Sequence, residues 1–228
     1  MRFRARDRIL NDRLVWQSAS LLLAYPDERW MQRLATVDRL RAGITGRAAT
    51  LLDESVAALR NTDQARAAID YVDTFDMHKR ATMYLTYWTA GDTRNRGSYM
   101  HAFVRAYHDA GVPAPKDEAP DHLPVVLEFA ATVDPDAGRQ LLVAHRVPIQ
   151  VLLAALSARR SAYAPAVAAV CATLPVPTER DVQRAQQLTA GGAPAEAVGL
   201  EPFTLTVPPR RSGEAEVGTS RVAAGGEV

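Results

Sequence analysis

The chain has 228 residues, enough for one domain of ordinary size whose core needs no disulfide or metal staple. Its 27 basic and 26 acidic side chains leave a formal charge of +1, which disfavours general nucleic-acid binding, because that needs a basic face to neutralise phosphates. The lone Cys171 excludes an intrachain disulfide and every multi-cysteine metal or iron–sulfur site. Alanine is abundant while isoleucine and phenylalanine are scarce, so helix is favoured over a large sheet and the expected class is all-α.

The first predicted helix, 8–24, gathers Leu10, Leu14, Val15, Leu21 and Leu22 on one face and ends at Tyr25-Pro26. A second covers 27–40 and stops before Gly43. Residues 47–60 carry the stripe Ala48, Leu51, Leu52, Ser55, Val56 and Leu59, which Asn61-Thr62 breaks. The next helix shows Ala65, Ala68, Ile69, Val72 and Phe75. Residues 79–90 are expected to form a central helix, because Met83, Tyr84, Leu85, Tyr87 and Trp88 leave it almost no polar face. After Gly91, where Asp92 is placed to cap, a helix over 98–110 is expected to bury Tyr99, Phe103, Ala106 and Tyr107. His101, Arg105 and His108 lie on its other side, and Gly111 supplies a left-handed stop.

Prolines make 111–121 a loop. Asp121 is placed to cap a helix that begins near Leu123, with Pro124 in its first turn. Asp134-Pro135 repeats that start signal for 135–145, and Pro148 opens 148–159. A short helix follows at 162–173, and Thr178 with Asp181 gives a capping-box pattern for 179–190. The expected division is one helical domain over 1–191 and a disordered tail over 192–228, rich in Gly, Pro, Ser and Glu.

The basic N-terminal stretch leads into an apolar run interrupted by Gln17 and Ser18, which is no clean signal peptide. The charge-free run Ser161–Thr178 is broken by Pro165, Pro175 and Pro177 and reads as buried helix. No integral membrane segment is expected, and the cytoplasm is the expected compartment. No H-E-x-x-H, G-x-S-x-G, P-loop or G-x-G-x-x-G occurs. His101 and His108 are two helical turns apart, about 10.5 Å, too far for one ion. Cys171 sits among Ala and Val as an inert core thiol. Neither metal nor cofactor nor catalysis is expected.

Asp70, Asp73 and Asp76 recur at a spacing that makes helix neighbours, so they repel unless partnered. They are either a solvated face satisfied by Lys79 and Arg80 or an acidic rim for a basic ligand. Tyr84, Tyr87 and Trp88 are either core or the floor of a groove for an amphipathic helix, since Tyr and Trp combine apolar bodies with polar tips.

The stretch YVDTFDMHKRATMYLTYWTAGDTRNRG, residues 71–97, resembles the signature of the NarJ family, the delta-type assembly chaperones of respiratory nitrate reductase. DEAPDHLPVVLEFA, residues 117–130, is a second match. Within it Glu118-Ala119-Pro120-Asp121-His122 is similar to the E-P-x-D-H hinge of the wider TorD/DmsD group, with proline one place later. The resemblance spans roughly residues 10–190. It implies a helical bundle of the TorD/NarJ type and a chaperone without turnover. Its client would be the apo catalytic molybdenum subunit of nitrate reductase, bound by its N-terminal segment. Molybdenum cofactor insertion and then membrane docking would follow, with cofactor delivery proteins as further partners. The alternative is a stable helical accessory subunit of the reductase.

On this reading Met83, Tyr84, Tyr87 and Trp88 anchor the client, and Asp73, Asp76, Glu118 and Asp121 steer a basic segment. Arg94 and Arg96 either join the site or hold their loop to nearby carboxylates. His122 either senses pH or serves the start of the helix it precedes. Trp88→Ala weakens binding if Trp88 is an anchor, and lowers the melting temperature if it is core.

Overall fold

A computed structural model describes residues 2–91 and 96–194, with side chains from residue 6. The helices are α1 Arg2–Leu23, α2 Trp30–Arg41, α3 Arg47–Arg60, α4 Gln64–Tyr71, α5 Tyr87–Ala90, α6 Arg96–Asp109, α7 Leu123–Thr132, α8 Pro135–Ala144, α9 Arg146–Ala158, α10 Ala164–Thr173 and α11 Glu179–Gly191. The expected all-helical class is what the structure shows. Among the described residues the only β-type pairing is one isolated antiparallel bridge, Tyr84 with His122. Residues 92–95 and 195–228, and so Asp92, Arg94 and nearly all of the expected tail, lie outside the described residues.

α1 is the hub, packing against α7, α10, α2 and α3. Its face carries Val15, Trp16, Ala19, Leu22 and Leu23, all buried. Each such large apolar side chain contributes roughly 1.5–3 kcal/mol by leaving water. Several polar groups inside are matched across helices. The Trp16 indole donates to Thr173 Oγ1 at 2.8 Å, and Ser20 Oγ donates to the Pro124 carbonyl at 2.8 Å. Ser55 Oγ donates to the Ala162 carbonyl at 2.7 Å, tying α3 to the start of α10. α7 is apolar nearly all round and accordingly buried.

Several start and stop signals act as read. Asp134 accepts from the backbone N–H groups of Asp136 and Ala137, and Thr178 and Asp181 form the reciprocal capping box. Gly111 takes φ +72°, and the Val112 N–H bonds back to the Tyr107 carbonyl at 3.1 Å, closing α6.

Three expectations are corrected. Residues 79–90 are not one helix. Lys79–Ala81 is a 3₁₀ turn, Thr82 is extended at φ −62°, ψ 137°, and α5 is a single turn. The run Ala81-Thr82-Met83-Tyr84-Leu85 alternates with period two: Ala81, Met83 and Leu85 are buried while Thr82 and Tyr84 are half-buried. An apolar count that ignores this alternation reads it as helix.

The second correction concerns α4. Its expected stripe faces the wrong way, leaving Ile69 62% and Val72 37% exposed, while Ala67 and Tyr71 are buried. Tyr71 decides the rotation, because its ring meets Tyr25, Phe75 and Tyr163 and its hydroxyl donates to the Leu23 carbonyl at 3.2 Å. A π-helical turn, Val72–Asp76, then inserts one residue and brings Thr74 and Phe75 inward. Third, Tyr99 is 46% exposed, because α6 turns Phe103 and Tyr107 to the core instead.

No single helix among the described residues is long and apolar enough to cross a membrane. α8 and α9 together reach the length and composition, but they meet at a 67° bend.

Candidate functional site

The bridge that replaces the expected central helix builds the site. Residues 82–86 run antiparallel to 119–123. The Leu85 N–H donates to the Asp121 carbonyl at 3.0 Å, and the Leu123 N–H donates to the Met83 carbonyl at 2.9 Å. This pairing sets Tyr84 opposite His122, with ring centroids 5.0 Å apart and planes 31° off parallel. The Tyr84 hydroxyl donates to Glu118 Oε1 at 3.1 Å, and His122 Nδ1 lies 3.5 Å from Glu118 Oε2. The Arg96 guanidinium stands 5.0 Å from the Tyr84 ring centroid, in cation–π range.

Beneath this recess Asp121 is fully buried. It is not the cap of α7. His122 is the N-cap residue, and no side chain there caps the helix. Asp121 turns inward because the bridge fixes its backbone, and Oδ2 gathers three donors. The Thr86 N–H is at 3.1 Å, the Thr86 hydroxyl at 2.5 Å and Arg96 Nη2 at 3.4 Å. Arg96 Nε also donates to the Thr86 oxygen at 3.1 Å. Charge-assisted bonds of this kind compensate the desolvation of the carboxylate. Asp121 Oδ1 has no hydrogen-bond partner among the described residues. With 0% exposure Asp121 is a lock between two loops and no rim charge.

Three acidic groups, Glu118, Asp121 and Asp76, act on His122 and favour its charged form. Burial outweighs them and holds the imidazole below its usual pKa, so it is neutral at pH 7. Burial, followed by the Glu118 carboxylate, pushes the Tyr84 phenol up, keeping it a donor. The surface thus offers a half-buried aromatic face, a carboxylate edge and a neutral imidazole. These recognise amide and cationic groups by stacking and hydrogen bonding. Burial pushes the Cys171 thiol up to about 11, which leaves it a poor nucleophile. Among the described residues no group of three or more His, Cys, Asp or Glu side chains is placed to hold a metal.

The other sequence candidates fall elsewhere. Met83 and Trp88 are in the core, 3% and 2% exposed. Trp88 packs with Val151 and Leu188, and half-buried Tyr87 meets it edge-on at 5.6 Å. Asp73 pairs with Arg159, the residue that follows α9, at 2.7 Å, and Asp70 pairs with Arg66 at 2.9 Å. The partners of the acidic series are therefore not Lys79 and Arg80. Asp76 is exposed near the recess.

The sequence profile of the family described as nitrate reductase delta subunit matches residues 38–169. The chain belongs to that family. The delta-family chain is 57% identical over 160 residues to the nitrate reductase-like protein NarX of Mycobacterium tuberculosis. That match covers 70% of this chain and 24% of NarX, so the chain spans about a quarter of that relative. It is 32% identical over 155 residues to the probable nitrate reductase molybdenum cofactor assembly chaperone NarJ of Bacillus subtilis, covering 66% of this chain and 83% of NarJ. The NarJ chaperone of Escherichia coli K12 is 30% identical over 149 residues, covering 64% and 63%.

Two site residues of this delta-family chain escape a reading of the sequence. Thr86 links Asp121 to Arg96, and its signal is a lone hydroxyl inside the apolar run MYLTYW. Arg159, which holds Asp73 and reaches His78 Nε2 at 2.9 Å, lies 86 residues from its aspartate and carries no local signal.

Proposed function

We propose that this chain is an assembly chaperone for a molybdenum-containing nitrate reductase. It binds the N-terminal segment of the apo catalytic subunit, supports insertion of the molybdenum cofactor and releases its client before membrane docking. The work is done in the cytoplasm and has no turnover of its own. The cofactor is cargo of the client, reaching it with delivery proteins as further partners. The family match over residues 38–169 carries this reading, supported by the assembly-chaperone names of the Bacillus and Escherichia relatives.

Tyr84, Glu118 and His122 form the contact surface, with Asp76 steering a basic segment and Arg96 and Tyr87 at its margin, while the Asp73 charge is taken up by Arg159. Asp121, Met83 and Trp88 act from below by holding that surface in place. Arg94 lies outside the described residues. Such a segment orders on binding, so its affinity comes from a few anchors.

Calorimetric titration with the first ~15–20 residues of the cognate catalytic subunit, enough for a few helical turns, tests this. Saturable binding is expected, absent for a scrambled peptide. Tyr84→Ala and Glu118→Gln should each weaken it roughly tenfold, about 1.4 kcal/mol. Trp88→Ala should lower the melting temperature, since it empties a core site. No heat with the cognate peptide would sink the proposal.

A second reading, a stable accessory module of the reductase, is favoured by one observation. The Mycobacterium relative carries its matching region as 24% of a longer polypeptide. Co-purification with the mature enzyme at fixed stoichiometry would select this reading over transient binding.

A further inference from the structure

A trough lined by other residues carries its own argument. It runs between α9 and α11 and ends at the 3₁₀ turn Lys79–Ala81. Its deeper stretch is a cavity of about 260 Å³ floored by Val151, Ala154, Ala155 and Ala158. The outer stretch shares Ala154 and Thr189 and continues along Val182 and Ala185. From Gln150 to Ala158 the floor is about 12 Å long by helix rise. Ala154, Ala158 and Val182 are exposed there, so the apolar floor faces water.

Charge on this trough is one-sided. Its cationic lining groups are Arg80 and Arg159, both at the end beside the 3₁₀ turn with His78 next to them, and among the described residues no carboxylate lines either stretch. Arg159 is engaged by Asp73. Arg80 is exposed and makes no ion pair among the described residues. At the other end the rim is amide, Gln150 and Gln186, and neither side-chain amide makes a protein hydrogen bond among the described residues. None of these residues belongs to the Tyr84–Glu118–His122 recess.

We propose that this trough is a second docking site, for an amphipathic helical segment of a partner protein that is acidic at one end. The apolar side of such a helix fills the alanine floor, its carboxylates meet Arg80 and the Arg159–His78 end, and its polar side chains reach the two glutamines. An acyl chain would fit the floor but leave the glutamine rim unmatched. A basic segment, the kind proposed for the first site, is repelled here. The two sites therefore sort partners by charge.

The test uses the full chain and a synthetic helix of ~14 residues, about four turns. One peptide carries leucines on one face and three glutamates in its first turn. Its counterpart carries lysines in place of the glutamates. Fluorescence anisotropy should show saturable binding of the acidic peptide, at least roughly tenfold tighter than the basic one. Arg80→Glu should reverse the preference. Ala154→Trp should abolish binding of both with the melting temperature unchanged, since Ala154 is exposed. No saturable binding of the acidic peptide overturns the proposal, as does binding that neither variant alters. Adsorption of the chain to phosphatidylglycerol vesicles, lost in Arg80→Glu, with no peptide binding, would assign the trough to a membrane surface instead.

Discussion

Thr86 shows how one hydroxyl can decide a loop. It donates to a buried carboxylate and accepts from a guanidinium, so Asp121 and Arg96 are joined through it. Thr86→Val keeps the shape and removes both bonds. The buried Asp121 oxygen would then keep the Thr86 N–H and the more distant Arg96, a loss of about 1–3 kcal/mol. Thermal denaturation should show this, and hydrogen exchange should show faster opening at Leu85 and Leu123, whose bridge bonds the lock protects. A melting temperature equal to wild type would mean that water replaces the hydroxyl.

At the level of elements, two glycines make opposite cases. Gly138 of α8 meets α7 so closely that a Cβ there would lie 2.3 Å from Ala130 Cβ and 2.4 Å from its Cα. Backbone cannot give way as a flexible side chain can, so Gly138→Ala should cost at least about 1–3 kcal/mol by forcing α7 and α8 apart. Gly97, in the first turn of α6, has nothing among the described residues within 4 Å of its would-be Cβ. Gly97→Ala should be neutral or stabilise by up to about 1 kcal/mol. Urea denaturation of the pair measures the contrast, and equal effects would contradict the close α7–α8 packing. α4 carries a related lesson. Its sequence stripe is genuine, but a tyrosine with three aromatic neighbours and a buried hydroxyl bond outweighs isoleucine and valine, which stay exposed.

For the whole molecule, pH is the simplest probe of burial. Burial holds both His122 and His145 below the usual histidine range, against the charged-form support of Glu118, Asp121 and Asp76 at His122, and of the Leu141 carbonyl and Asp121 at His145. The unfolded chain therefore binds protons first. Stability from the neutral rings is fully present above about pH 6.5 and is lost as pH falls through the folded values. The melting temperature should be flat from pH 8 to 7 and fall below about 6.5. His145→Gln should shallow that fall, and an unchanged slope would mean that other groups govern it.

The helices, their caps and their order are local properties. Thr178 with Asp181, Asp134 before Pro135 and Gly111 after α6 act through bonds within a turn, so spacing alone reveals them. The alternation over 81–85 was also present in the sequence, masked because Tyr84 was counted as apolar. Other features belong to no single segment. Asp121 turns from a cap into a buried lock because its backbone is paired with Leu85, 36 positions away. Trp88 leaves the groove for the core because α9 and α11 bring Val151 and Leu188 onto it. The sequence determined which residue types could recognise a client. Tertiary packing decided which of them reach the surface, because burial, and with it the state of each charge and ring, is set by neighbours far away in the chain.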